Sequence, residues 1–439
     1  MAPSVALYLL VSLLFSVSSS IAKTPSLSSR PPRALFLPVT KDHSTNQYIT
    51  QINQRTPFSP VKLVVDLGGE SLWVDCDKGY KSSTYKPVHC RSSLCSLLKT
   101  PFGCGECYGG PKPGCYNHSC SFFPTNSVTG VTTHGELAKD IVSLQSTNGS
   151  NPGPLVSVPR FVFTCGATFL LKNLAKGTNG MAGFGRTPIG LPSQFSHAFR
   201  FSRKFAICLS SYGTGVIFFG DGPYVMLPGI DISYRLNYTP LLINKIGAPY
   251  STTIAGSDPS AEYYIGVRGI KINGEPVAIN TTLLKINKEG YGGTKISTTV
   301  PYTTLETSIY KAVTNTLIKM VSGVPRMKPV APFKLCYNAS SFGSTRLGPG
   351  FPPVDLVLQD GKTLWTFFGA NSLVSVEGGR LCLAFVDGGV GSVNAIVIGG
   401  YQLENAILQF DLEKSRLGFI STILGARTTC GNFNFTSIA

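Results

Sequence analysis

The sequence predicts a mainly β protein built as two lobes that meet at a cleft. Its 47 Gly and 30 Pro among 439 residues divide the chain into short segments, and these alternate apolar and polar side chains as half-buried strands do. An internal echo is the third observation: in each half, a tight polar turn is followed later by an apolar-apolar-glycine strand. The chain is long enough for two or three domains with real cores.

The first 22 residues predict a secretory signal peptide. They carry no charged side chain, contain the apolar run from Val5 to Val17 and end in a small-x-small pattern at Ser20-Ile21-Ala22. That run is too short to span a bilayer, and no later stretch reaches about 18 apolar residues. We therefore expect a secreted mature chain without a membrane anchor. Residues 23–33, rich in Ser and Pro, predict a flexible leader.

The remainder is expected to divide into an N-terminal lobe at residues 34–222 and a C-terminal lobe at residues 223–439, with the boundary near Gly220–Pro228. Short alternating segments predict strands at 34–40, 47–52, 161–165 and 215–220. Helical patterns are few. The clearest covers 306–320, and shorter ones cover 92–98, 191–198 and 402–406.

The echo involves four segments. In the first half, Asp66 opens a glycine-rich turn inside VVDLGGESLWVDC, and GMAGFG follows from Gly180. In the second half, KISTTVPYTTL from Lys295 is followed by AIVIGG from Ala395. A carboxylate at a strand end beside glycines is a place where hydrolytic chemistry can occur. The similar spacing in both halves predicts that the two turns face one cleft.

Twelve cysteines, an even number in a secreted chain, predict up to six disulfides. They are Cys76, Cys90, Cys95, Cys104, Cys107, Cys115, Cys120, Cys165, Cys208, Cys336, Cys382 and Cys430. Seven of them crowd between residues 76 and 120, which predicts a stapled loop. The spacing of Cys104 and Cys107 is compatible with zinc, but no second pair or histidine partner follows, so no metal and no cofactor are expected.

Six Asn-x-Ser/Thr sequences predict exposed loops and N-glycosylation: Asn117, Asn148, Asn237, Asn280, Asn338 and Asn434. The net charge of +16 favours acidic partners, such as an acidic cell-wall polysaccharide or an acidic protein. Nucleic acid is not expected, because no Lys/Arg run exceeds two residues and a secreted chain is in the wrong compartment.

VVDLGGESLWVDC, GMAGFGRTP and AIVIGGYQLENAILQFDLEKSRLGF together resemble pepsin-like aspartic proteases, from about residue 34 to residue 430. The resemblance implies a bilobal pepsin-like acid-protease fold, with two β-barrel-like lobes and few helices. An active member needs two aspartates that share one proton. Here Asp66 matches the first, but Ser297 stands at the second. Leu67 also replaces the usual hydroxyl residue, and no flap tyrosine occurs in 121–134, so catalysis is not expected.

The cysteine-rich insert, the segment STTVPYT and the ending GARTTCGNFNF are similar to the plant extracellular dermal glycoproteins, which are related to the basic seed globulins and the TAXI-type xylanase inhibitors. This resemblance implies an apoplastic, plant-defence inhibitor of microbial endoglucanases. Members of the dermal-glycoprotein type block xyloglucan-specific enzymes of glycoside hydrolase family twelve, whereas TAXI-type members block family eleven xylanases.

The same resemblance places two inhibition loops around Arg346 and Arg427. Arginine suits such a role, because its planar guanidinium binds a carboxylate through two hydrogen bonds, and a retaining glycosidase offers two carboxyl groups about 5 to 5.5 Å apart. TAXI-type inhibitors have histidine where this chain has Arg427, which favours an endoglucanase over a xylanase. Both arginines are also compatible with an ordinary solvated surface. Arg326 is a third exposed candidate.

Two other functions stay open at this point. One is a residual aspartic-type endopeptidase that works through Asp66. The other is a non-inhibitory storage or binding globulin. For the inhibitor, Asp66 is expected to be a structural carboxylate, hydrogen-bonded near Ser297 where the lobes meet.

Overall fold

The computed structural model describes residues 31–98, 104–108, 110–246 and 259–436. The predicted signal peptide and all of the leader before residue 31 lie outside the described residues. From Pro32 onward the chain packs as one unit. Within the described ranges, no helix is long and apolar enough to cross a membrane.

The described residues form mainly short strands, as predicted. Those up to residue 242 are β1 (Ala34–Asp42), β2 (Gln47–Gln54), β3 (Ser59–Asp66), β4 (Trp73–Asp75), β5 (Lys86–Pro87), β6 (Cys104–Gly105), β7 (Ser119–Phe122), β8 (Thr125–Asn126), β9 (Val131–Thr132), β10 (Gly135–Thr147), β11 (Pro152–Gly166), β12 (Gly180–Gly183), β13 (Lys204–Cys208), β14 (Thr214–Gly220), β15 (Val225–Met226), β16 (Ile230–Asp231) and β17 (Asn237–Leu242).

The later strands are β18 (Tyr263–Ile265), β19 (Val267–Ile272), β20 (Glu275–Pro276), β21 (Thr294–Ile296), β22 (Thr303–Leu305), β23 (Arg326–Met327), β24 (Cys336–Asn338), β25 (Ser344–Thr345), β26 (Gly348–Pro349), β27 (Val354–Leu358), β28 (Leu364–Phe367), β29 (Leu373–Val376), β30 (Arg380–Leu383), β31 (Phe385–Asp387), β32 (Ile396–Ile398), β33 (Ile407–Asp411) and β34 (Arg416–Ile420).

Three of the four predicted helices are confirmed. The α-helices are α1 (Ser93–Leu97), α2 (Leu191–Phe199), α3 (Thr307–Met320) and α4 (Gly369–Ser372). In α3 the Glu306 carboxylate accepts hydrogen bonds from the first-turn N–H groups of Ser308 and Ile309. Its buried side chains include Ile309, Val313 and Leu317, which lie on one face four residues apart.

The prediction of a helix at 402–406 is wrong. A 3₁₀ turn covers Gly400–Leu403, and the chain is extended again at Glu404. The N–H of Asn405, with φ +53°, bonds to the carbonyl of Leu209, so tertiary pairing replaces the next helical turn. The short α4 was not predicted, because four residues are too few for a helical period. The other 3₁₀ turns are Thr168–Leu171, Ser233–Arg235, Thr281–Leu284, Ala339–Ser341, Leu424–Ala426 and Cys430–Asn432.

One extended sheet network joins the two halves of the chain. Strand β1 pairs antiparallel with β14, in register from Ala34 opposite Gly220 to Thr40 opposite Thr214. Strand β13 then pairs with β33, which comes from the other half of the chain. The large core beneath this network contains side chains from both halves. The division at residues 222 and 223 stays a prediction.

The internal echo corresponds to a repeated strand arrangement. Strand β12 pairs parallel with β3 and antiparallel with β4. Likewise, β32 pairs parallel with β21 and antiparallel with β22. The glycine at the end of each motif has a steric cause. A Cβ on Gly183 would lie 2.3 Å from the Ser71 carbonyl oxygen, and one on Gly399 would lie 2.4 Å from the Tyr302 carbonyl carbon.

All twelve cysteines are paired in six disulfides, which confirms the disulfide-rich prediction: Cys76–Cys165, Cys90–Cys104, Cys95–Cys120, Cys107–Cys115, Cys208–Cys430 and Cys336–Cys382. Three of these lie inside the cysteine-rich insert. Both sulfurs of the zinc-like Cys104/Cys107 pair are thus in disulfide bonds.

The six predicted glycosylation sites all lie at solvent-accessible positions. Four of the asparagines are exposed: Asn117, Asn148, Asn237 and Asn280. The other two, Asn338 and Asn434, are half-buried. Their occupancy stays a prediction.

Candidate functional site

The Asp66 turn lies at the end of β3, and Asp66 is only 4% exposed. The backbone N–H of Gly68 donates to Oδ1 of Asp66 at 3.0 Å. The hydroxyl of Ser127 donates to Oδ2 of the same carboxylate. A Cβ on Gly69 would lie 2.9 Å from that Oδ2, so only glycine fits beside the carboxylate here. Both oxygens of Asp66 are therefore already hydrogen-bonded.

Ser297 follows β21 and is also buried. Its hydroxyl lies 3.1 Å from the Thr299 hydroxyl and accepts from the backbone N–H groups of Thr299 and Val300. Among the described residues, none of these hydrogen bonds reaches Asp66, so the carboxylate is held by Ser127 and Gly68 instead. Asp66 and Ser297 therefore do not make up a pair of carboxyl groups that share one proton.

The residue that joins the two turns is Thr298, which sequence reasoning did not single out. Its hydroxyl accepts from the N–H of Leu67 at 3.2 Å and donates to the carbonyl of Val65 at 2.7 Å. Leu67 has no hydroxyl with which to return this contact. The hydroxyl-rich run STT, in a turn equivalent to that of Asp66, was the signal that could have identified it.

The hairpin of β8 and β9 carries Ser127 and is bonded down at several points. The Thr125 carbonyl accepts from the indole N–H of Trp73 at 2.9 Å. The amide of Asn126 donates to the carbonyls of Leu170 and Lys172 at 2.7 and 2.9 Å. Val128 packs on the apolar cluster that includes Trp73. These contacts hold the hairpin in place, and Ser127 bonds it to the Asp66 carboxylate.

Burial raises the pKa of Asp66, while the hydrogen bonds from Ser127 and Gly68 partly counteract that rise. The charge of Glu262 raises the pKa further. Glu262 is itself held by Lys295, at 2.6 Å, and by the hydroxyl of Tyr264, at 2.9 Å. A carboxylate engaged in this way does not supply the missing partner of a catalytic pair.

Arg346 lies at the exposed tip of the hairpin formed by β25 and β26. The Thr345 hydroxyl donates to the Gly348 carbonyl at 2.7 Å and accepts from the Leu347 N–H at 3.1 Å. The Leu347 carbonyl accepts from the N–H of Ala370 in α4. The backbone beneath Arg346 is therefore held on both sides of the tip.

Arg427 is exposed directly after the 3₁₀ turn at Leu424–Ala426, with a left-handed φ of +60°. Its N–H bonds to the Leu424 carbonyl at 3.1 Å. Three residues later, the buried Cys430 is tied to Cys208 by a disulfide. The Arg427 side chain thus projects from a short loop with two anchored ends.

The two arginine loops are neighbours. A Cβ placed on Gly425 would lie 3.9 Å from Cδ2 of Leu347, the residue after Arg346. Arg326, in contrast, lies on β23 and lines a different groove of about 400 Å³ with Tyr310 and Lys334. The fold therefore places the loops of two of the three candidate arginines near each other.

Comparison with solved structures gives the class of fold. The crystal structure of an aspartic proteinase from Irpex lacteus matches with a TM-score of 0.52 and 16% identity, over 90% of this chain and 99% of that one. This likeness shows the fold alone, a pepsin-like one, as the repeated strand arrangement around β12 and β32 indicated.

Family models described as xylanase inhibitor N-terminal and xylanase inhibitor C-terminal match residues 48–221 and 262–421. "Probable aspartic proteinase GIP2" of Nicotiana benthamiana is 55% identical over 98% of both chains. The crystal structure of edgp matches with a TM-score of 0.89 and 55% identity, over 93% of this chain and 100% of that one. The crystal structure of conglutin gamma, a basic 7S globulin from lupine seeds, matches with a TM-score of 0.80 and 36% identity. This match covers 92% of this chain and 100% of that one. The chain belongs to this xylanase-inhibitor family.

Proposed function

We propose that this protein is a secreted inhibitor of microbial glycoside hydrolases and that it does not cleave peptides. Its preferred target is a xyloglucan-specific endoglucanase of family twelve, with a xylanase less favoured. The observation that carries the proposal is the proximity of the two arginine loops, since a Cβ placed on Gly425 would lie 3.9 Å from Cδ2 of Leu347. Two guanidinium groups presented from neighbouring loops suit the paired carboxyl groups of a glycosidase cleft.

An exposed arginine contributes more to binding affinity when the loop that carries it is already ordered. Ordering a long side chain and its loop upon binding costs free energy, and a loop that is already ordered avoids part of that cost. The Arg346 hairpin is bonded to α4, and the Arg427 loop is anchored by Cys430. The six disulfides favour a secreted location, which supports the same proposal.

Peptide cleavage is disfavoured by the geometry around Asp66. One carboxylate must activate water while a second supplies a proton. The hydroxyl of Ser297 does not ionise near neutral pH, and the oxygens of Asp66 already accept from Ser127 and Gly68. Cleavage of a peptide at acid pH that Asp66→Asn abolished would overturn this part of the proposal.

The decisive experiment is a titration of a family twelve endoglucanase with the purified protein and its arginine variants. Arg346→Ala and Arg427→Ala should each weaken inhibition by about 30-fold to several thousandfold, because each would remove roughly 2 to 5 kcal/mol from a desolvated charge pair. Arg326→Ala is the matched control and should inhibit like the wild type. A wild-type protein without inhibition, or inhibition unaffected by both changes, would refute the proposal.

A storage or binding globulin is the second candidate, favoured by the relation to the lupine-seed basic 7S globulin and by the net charge of +16. Such a protein would bind an acidic cell-wall polysaccharide without inhibiting any hydrolase. A panel of four or five glycosidases, with parallel binding to pectin, separates the two functions.

A further inference from the structure

The hairpin of β15 and β16 carries an exposed apolar tip that the proposed function does not yet use. Leu227, Pro228 and Gly229 form this tip, and all three are exposed. Leu227 is 50% exposed although it is an aliphatic side chain. The residues on either side of the tip are not free to move. Val225 pairs with Asp231, and Met226 pairs with Ile230 while its side chain lies in a buried cluster with Ile423 and Phe433.

The backbone of Leu227 is bonded to the segment that follows Arg427. The hydroxyl of Thr428 donates to the Leu227 carbonyl at 2.9 Å. The Leu227 N–H donates to the Asn432 carbonyl at 2.8 Å. The side-chain amide of Asn432 in turn donates to the Thr428 hydroxyl at 3.2 Å. Both backbone groups of Leu227 are thus bonded to the segment that follows Arg427, while its side chain is 50% exposed.

A single exposed leucine is ordinary on a protein surface. Leu227 differs because its position is fixed relative to Arg427. In interfaces, a charged anchor is effective where neighbouring apolar contacts exclude water from it. A cleft that binds sugars through a few polar groups offers apolar and aromatic walls around its carboxyl groups.

We infer that the Leu227 tip is a third contact element of the inhibitory surface, packing on the apolar wall of the endoglucanase cleft whose carboxyl groups receive Arg427. This inference rests on the proposed function. It assigns to Leu227 the role of shielding the Arg427 guanidinium from water, and it commits to one occupant, the rim of the hydrolase's own substrate cleft. Charge complementarity at Arg427 argues for that occupant.

The test compares inhibition constants against a family twelve endoglucanase. Leu227→Ala should weaken inhibition by about 10-fold, which is more than most interface residues lose on truncation and is the loss expected if Leu227 shields a charged anchor. Leu227→Asp should weaken it by about 100-fold or more, because it places a carboxylate beside the target's own carboxyl groups and leaves it poorly solvated. Neither change touches the backbone hydrogen bonds, so both variants should melt within about 2 °C of the wild type.

Leu155→Asp is the matched control. Leu155 is 58% exposed and lies on β11, which makes no strand pairing with either arginine loop in the described chain. Its inhibition constant should equal that of the wild type.

Three outcomes overturn the inference in distinguishable ways. If Arg427→Ala weakens inhibition but Leu227→Asp does not, the Leu227 contact is refuted and the proposed function stands. If Leu227→Asp, Arg427→Ala and Arg346→Ala all leave inhibition unchanged, the inference and the proposed function are both refuted. An equal loss in Leu227→Asp and Leu155→Asp would likewise refute a local contact.

Discussion

At the scale of single residues, Asp66 is the most constrained ionisable group of the candidate site. It is buried, and its oxygens accept from Ser127 and Gly68. Those two donors favour the charged carboxylate, whereas burial and the charge of Glu262 disfavour it. The effect of burial is the largest of these, so the pKa of Asp66 is raised above its ordinary value of 3.8. The buried Asp66 carboxylate is therefore less favourable for stability at neutral pH than its protonated form would be.

We predict that Asp66→Asn changes how stability depends on pH. Because the folded state raises the pKa of Asp66, it binds the proton more tightly than the unfolded chain does. The stabilising contribution is thus present below pH 3.8 and lost as pH rises through the raised pKa. Asparagine does not titrate, so the free energy of unfolding of the variant should rise relative to the wild type across that interval, by about 1.4 kcal/mol per unit of pKa elevation.

Urea denaturation at a series of pH values measures this difference. Ser127→Ala is the companion variant: it removes a donor that lowers the pKa of Asp66, so its stability should fall over a wider pH interval. A difference between Asp66→Asn and the wild type that stayed constant with pH would contradict the prediction.

At the scale of elements, the hydroxyl of Thr298 joins the turn after β21 to the turn after β3 by hydrogen bonds. Thr298 contacts both Val65 and Leu67, and Leu67 has no hydroxyl to make the reciprocal contact. The strands that carry the turns, β3 and β21, are each paired with a later glycine-ended strand. The hydroxyl of Thr298 is therefore a principal polar link between the two repeated motifs.

Thr298→Val should lower the free energy of unfolding by about 1 to 3 kcal/mol, because it leaves the buried carbonyl of Val65 without its donor while preserving side-chain shape. Thr304→Val is the control. In the described structure the Thr304 hydroxyl has no hydrogen-bond partner, and a β-branched residue suits its strand, so little change is expected. Chemical denaturation of both variants decides the matter; equal stabilities would argue against a linking role for Thr298.

At the scale of the whole molecule, one disulfide connects distant parts of the chain at the candidate inhibitory surface. Cys208 ends β13, Cys430 follows the Arg427 loop, and 222 residues separate them in sequence. A cross-link over such a distance restricts the unfolded chain strongly. It also anchors one side of the Arg427 loop, so the proposed function predicts that stability and inhibition are coupled there.

Replacing Cys208 and Cys430 together by alanine should lower the free energy of unfolding by about 2 to 5 kcal/mol. The same variant should inhibit more weakly under conditions where it is still folded, because the loop must be ordered on binding. Removing Cys107–Cys115, separated by 8 residues, is the control and should leave inhibition unchanged. Thermal unfolding and inhibition titrations test both statements, and an unchanged inhibition constant would show that the loop needs no such anchor.

The net charge of +16 leads to a further expectation for the whole molecule. Binding to an acidic hydrolase should begin faster at low ionic strength, since long-range attraction acts on the association rate more than on dissociation. Stopped-flow measurements between about 0.01 and 0.15 M salt span Debye lengths from about 30 to 8 Å. An association rate that did not fall with salt would exclude electrostatic steering.

Much of the fold was accessible from the sequence by itself. Alternating strands, the α3 period, the even cysteine number and the repeated turn-to-glycine pattern are local signals that act over a few residues, and the structure confirms each of them. The limits of local reasoning appear at Gln402. There the pattern indicated a helix, but Asn405 bonds to Leu209 instead.

The sequence determined which groups were present and which were missing: Asp66 without a second aspartate, and arginines at positions 346 and 427. Tertiary structure alone decided what lies beside them. Ser127 reaches Asp66 across 61 residues, and Thr428 reaches Leu227 across 201. Leu347 likewise lies near Gly425, 78 residues further along the chain. Such contacts arise from the packing of whole sheets, for which residue periodicity contains no information. They bury Asp66 and place the two arginine loops near each other.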